Sequence, residues 1–123
     1  MNKMAPISSL RDAVLIDRAA VLDRVGGDTD LLRDITAIFL SEYPGLVHEI
    51  REAVMAKDAK RLERAAHSLK GSVSNFGAQA ATQAAYHLEV IGRRGELEAA
   101  GMALKALLEE FEQLEPALES LAA

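Results

Sequence analysis

Apolar residues in this chain return at every third or fourth position, and nowhere in strict alternation. Leu31, Leu32, Ile35, Ile38 and Phe39 keep that step, and Leu46, Val47, Ile50, Val54 and Met55 resume it after Pro44. So do Leu62, Ala66, Leu69, Val73 and Phe76, then Ala81, Ala84, Ala85, Leu88 and Ile91. A last run carries Leu97, Met102, Leu104, Leu107, Leu108, Phe111 and Leu114. This period builds helices with one buried stripe; a strand would need its faces to alternate at every second residue. The chain is thereby committed to helices packed on helices.

Helix stops and starts divide these runs. Asp17 reads as the N-cap of a short helix through about Val25, with Ala20, Val21 and Val25 inward, and Gly26-Gly27 ends it. Asp28 or Thr29 caps the next helix, in which Pro44 predicts a kink or a one-turn break because it lacks an N–H and restricts Tyr43. Asp58 caps the third helix and Gly77 closes it. A fourth runs from about Ala78 to Arg93, with Gly92 and Gly95 bracketing its end. The last spans about Glu96 to Leu121, with Pro116 placed to shorten it. Short links between long helices predict an all-α, up-and-down antiparallel four-helix bundle with a short extra N-terminal helix over one end. Residues 1–15 read as a loosely held arm and residues 16–123 as the single domain.

Composition narrows the chemistry. Only 4% of residues are aromatic, so the core is expected to rest on Leu, Ile, Val and Ala, with the methionines and Phe111 as filling. There is no cysteine, hence no disulfide framework and no thiolate metal site. The net charge of −5 opposes nucleic-acid binding, which needs a basic face. No apolar run reaches the roughly 18 residues of a membrane span, and no secretory signal is visible. The cytoplasm is the expected compartment and a monomer the expected state, since no spare apolar face stands out. The initial Met and completed last helix fit a stand-alone protein, and an excised terminal domain would look much the same.

One side chain falls outside this economy. At about 100° per residue, His67 lies far from the stripe of Leu62, Ala66, Leu69, Val73 and Phe76. Around it stand Lys60, Glu63, Arg64, Lys70, Gly71 and Ser74, none of them a packing residue. An imidazole in water is a nucleophile through a neutral ring nitrogen, and its ordinary pKa of about 6.5 leaves much of it neutral near pH 7. Lys70 stands one turn on as a point charge for anionic oxygens. Gly71 costs about 1 kcal/mol against alanine inside a helix, and clearing the approach to His67 gives it a reason. His48 and His87 lack such neighbours and read as partly exposed structural residues. Glu63 and His67 are spaced for a metal, but the second Glu-x-x-His motif of bundle sites is missing, so no metal is expected. No glycine-rich phosphate loop is present either, so the chain is not expected to take phosphate from ATP.

The stretch His67-Ser-Leu-Lys70-Gly71-Ser72, followed by Asn75-Phe76-Gly77-Ala78, resembles the signature of histidine-containing phosphotransfer (Hpt) domains, which relay phosphate in bacterial and fungal multistep signalling. The helical pattern fits from about Ile16 to the C-terminus. The resemblance implies a phosphoryl carrier, not an enzyme with its own ATP site. His67 would accept the group from an aspartyl-phosphate receiver domain of a response regulator and pass it to another, with a hybrid histidine kinase upstream. Mg²⁺ would belong to the receiver. In the family the ring is steadied from the following helix; the matching position is Glu89, where many relatives carry Gln, and Arg93 at i+4 competes for it. Receivers dock around the histidine, which makes Lys60, Glu63, Arg64, Lys70 and Ser74 rim contacts. Two other readings stay open: the phosphate-accepting part of a chemotaxis-type histidine kinase, and an adaptor that binds receivers without being phosphorylated.

Overall fold

The computed structural model describes residues 15–123. The expected arm lies outside them except for Leu15, which packs half-buried against the core. Five α-helices follow: α1 (Arg18–Arg24), α2 (Thr29–Met55), α3 (Ala59–Ser74), α4 (Gln79–Arg94) and α5 (Ala100–Ala122), with a 3₁₀ turn at Leu97–Ala99 before the last. Helices α2 to α5 form the bundle: α3 packs on α2 and α4, and α5 closes the ring against α2 and α4. The described residues contain no strand.

The starts are built by three aspartates. Asp17 accepts from the Ala20 N–H at 3.0 Å, Asp28 from Leu31 at 3.0 Å and Asp58 from Arg61 at 3.1 Å, each satisfying a donor that the first turn leaves free. Asp28, not Thr29, caps α2. In α1 only Val21 is buried, whereas Ala20 faces solvent.

The prolines break nothing. Helix α2 is continuous through Pro44, and α5 through Pro116 to Ala122. Both rings sit on exposed positions, and the buried residues Tyr43, Val47 and Ile50 (or Leu114, Ala117 and Leu118) lie on both sides of each. Core contacts on both flanks offset the one backbone bond each proline removes. Gly92 also departs from expectation: it is a buried interior residue of α4, and only Gly95, at φ +68°, terminates the helix.

The core is less aliphatic than the composition suggests. Phe39, Tyr43, Phe76 and Phe111, four of the five aromatic residues, gather in one cluster, with centroids 5.4 Å apart for Phe39–Tyr43, 5.0 Å for Phe39–Phe76 and 4.9 Å for Tyr43–Phe111. Conversely Met55 and Met102 are not filling, being 75% and 83% exposed. Leu31 and Ile38 also stand exposed, because the apolar stripe of α2 is wider than the surface its neighbours cover.

Candidate functional site

His67 sits midway along α3 on its outward face, with 65% of its side chain exposed. Helix α4 runs antiparallel beside it and sets three of its side chains opposite three of α3. Tyr86 lies under the Lys70 ammonium, 5.1 Å from ring centroid to Nζ. Glu89 Oε2 stands 3.0 Å from His67 Nδ1. Arg93 Nε donates to Glu63 Oε2 at 3.3 Å. The spacing of three and four residues on both helices keeps these rungs in step.

Glu89 is the hub. It is 3% exposed, and charges or donors meet it from three directions: His67 Nδ1, the Lys70 ammonium 2.8 Å from Oε1, and Arg93 Nη2 2.7 Å from Oε2. Burial is the largest single influence on this carboxyl and pushes its pKa up. The hydrogen bonds and charges of Lys70 and His67 together outweigh it, and the net shift is downward. An ionised Glu89 can only accept, so His67 Nδ1 carries the proton and Nε2 holds the free lone pair. Among the described residues the ring makes no other hydrogen bond.

Lys60, Glu63, Arg64, Ser68, Glu89 and Arg93 join His67 around an open cleft of about 600 Å³. Ser74 shares the face of α3 but lies outside this cleft: its hydroxyl donates to the Gly71 carbonyl at 2.9 Å, and its own carbonyl accepts from Arg24. A methyl built on Gly71 would meet nothing within 4 Å. No contact among the described residues therefore requires a glycine there. The two readings of Glu89 both hold, since it touches the ring and Arg93 at once. Lys70 is not a free charge as it stands; Glu89 and Tyr86 hold it. Tyr86 is not among the residues that the sequence singles out. Its signal was its place three residues before Glu89, on the same face of α4. His48 and His87 are exposed and outside the cluster.

Charge is sorted by face. Lys60, Arg61, Arg64, Lys70, Arg93 and Arg94 oppose only Glu63 and Glu89, so α3 and α4 carry four net positive charges. Helix α5 sets Lys105 against five glutamates, for four net negative. Among the described residues no three His, Asp or Glu side chains converge to hold a metal, and no helix is long and apolar enough to cross a membrane.

A basic face presenting one exposed, carboxylate-steadied imidazole on a four-helix bundle is the arrangement of a histidine phosphocarrier. Residues 34–117 match the family model of the Hpt domain, and the chain belongs to that family. Its structure is similar to the crystal structure of histidine-containing phosphotransfer protein B (HptB) from Pseudomonas aeruginosa PAO1, at 25% sequence identity and a TM-score of 0.80, over 86% of this chain and 92% of that one. A comparison with curated proteins finds no match. The chain is a phosphotransfer intermediate of two-component signalling.

Proposed function

We propose that His67 Nε2 takes a phosphoryl group from the aspartyl phosphate of one response-regulator receiver domain and yields it to another. The observation that carries the reading is the pairing of an exposed ring with a buried acceptor on Nδ1. The Nε2 lone pair attacks phosphorus, the N–P bond forms, and the P–O bond to the receiver aspartate breaks, releasing its carboxylate. The Nδ1 proton stays on the ring, which becomes cationic, and Glu89 offsets that charge. The reverse step returns the ring to neutrality. Lys70 and Arg93 are close enough to Glu89 to shift toward phosphoryl oxygens as these arrive.

The receiver, with its acidic pocket and the Mg²⁺ it brings, approaches the basic α3–α4 face, a complementarity that steers encounter. Lys60, Glu63, Arg64 and Ser74 form the rim, and Gly71 leaves the surface flat one turn from the nucleophile. A hybrid histidine kinase in the cytoplasm is the upstream source, and the carrier acts as a monomer.

The test is phosphoryl transfer from labelled receivers. Wild-type protein should gain acid-labile, base-stable label; His67→Gln should remain folded and gain none. Label persisting on that variant would sink the assignment. Label arriving from an isolated kinase core and ATP, with no receiver present, would instead favour the kinase-associated reading. Receiver binding without label would favour the adaptor.

A further inference from the structure

The contact between His67 and Glu89 depends on how closely α3 and α4 approach, and at Gly92 the two backbones are too close to admit a side chain. A methyl placed there would lie 2.6 Å from the Glu63 nitrogen, 2.8 Å from the Ala59 carbonyl oxygen and 2.9 Å from the Glu63 Cα. All three are backbone atoms of α3, so no side chain can swing aside to admit it. The two helices would have to part. Gly92 is three residues beyond Glu89, and Glu63 one turn before His67, so a wedge here parts the seam one turn from the ring.

We infer that Gly92 is a positioning residue for phosphoryl transfer: its missing side chain sets the α3–α4 spacing at which Glu89 reaches Nδ1 of His67. It has no side chain to touch the imidazole or phosphate, and acts through the position of Glu89. The inference rests on His67 as the phosphoryl acceptor. A contact of 3.0 Å has little slack, because N–H···O hydrogen bonds in proteins ordinarily extend only to about 3.2 Å. With the bond stretched, the ring samples both tautomers and rotates, and the lone pair is aimed at phosphorus for less of the time.

The experiment is Gly92→Ala in the full chain, read by ¹⁵N NMR of the His67 ring and by transfer from a phosphorylated receiver. In wild type the ring nitrogens should report one dominant tautomer with the proton on Nδ1. In Gly92→Ala they should move toward a tautomeric mixture. The rate at saturating receiver should fall roughly 10- to 100-fold, the range expected for a misplaced reacting group, while the receiver concentration for half-maximal rate stays close to wild type. In a Glu89→Ala background the same change should cost little more. Unchanged ring shifts and an unchanged rate in folded Gly92→Ala would overturn the inference, as would an equal loss in both backgrounds. If Gly92→Ala does not fold in buffer alone, the same readouts are taken on it and on wild type in a stabilising osmolyte such as sucrose, with the same criteria. Should His67 fail to accept phosphate at all, the NMR arm still decides whether Gly92 sets the contact.

Discussion

Two seams of the bundle each place a glutamate against a ring, and they do opposite things with it. Between α2 and α5, Tyr43, a residue 8% exposed, donates to Glu115 while its ring stacks on Phe39 and Phe111. Between α3 and α4, the carboxylate is the buried partner and the His67 ring stands outside. In the first seam the ring is core and its hydroxyl must be satisfied. In the second the acid is placed in the interior so that a nucleophile outside it keeps one tautomer. Burying the ring contributes to stability; burying the acid fixes an orientation.

That contrast should appear as a division of mutational effects. The largest loss of stability is expected from Phe111→Ala, which removes the ring that α5 contributes to the aromatic cluster and should cost about 3–5 kcal/mol. Urea unfolding measures it, and transfer by the folded fraction should hold near wild type. A large transfer defect at full folding would mean that the seams are coupled.

A smaller effect follows from Tyr43→Phe, about 1–2 kcal/mol for the lost hydrogen bond, and it carries a pH signature. Burial first, then the hydrogen bond and charge of Glu115, push the Tyr43 phenol well above its ordinary range. The folded state therefore favours the neutral phenol. Its contribution is whole below the unfolded pKa of about 10 and is lost as pH rises from there toward the folded value. Wild-type stability should fall more steeply than that of Tyr43→Phe above about pH 10. Parallel curves would show that the phenol is not held neutral.

The two seams were unequally legible in sequence. His67 stands out because one polar residue among polar neighbours, off a clear apolar stripe, is visible from periodicity alone; Asp17 and Asp58 mark two helix starts, and the structure chooses Asp28 over Thr29 for a third. Glu89 came from resemblance, since no local pattern on α4 says which residue faces α3. The ladder of Tyr86, Glu89 and Arg93 needs an interhelical register, a tertiary quantity. Pro116 does not shorten its helix and Pro44 does not break its own, because local backbone preference weighs less than core contacts flanking it on both sides. Gly92 misled in the other direction. Read as a terminator beside Gly95, it stands four residues after Leu88 and seven after Ala85, squarely on the buried face. That spacing was the available signal for a packing glycine.

The smallest effect sharpens the comparison most, because it sets one glycine of the site seam against another. Gly71 and Gly92 both lie inside helices, so alanine at either removes the same backbone entropy from the unfolded chain, a gain of about 0.5–1 kcal/mol if the methyl fits. At Gly92 it does not fit; at Gly71 it meets open space. Gly71→Ala should therefore raise the urea midpoint by that small amount and leave the His67 tautomer untouched. It should also raise the receiver concentration for half-maximal transfer severalfold, because the methyl stands on the docking surface one turn from the nucleophile. The expected pattern is thus the reverse of Gly92→Ala, which spares the half-maximal concentration and lowers the rate. If Gly71→Ala stabilises the fold and leaves receiver docking unchanged, then the open space beside His67 is not where the partner sits.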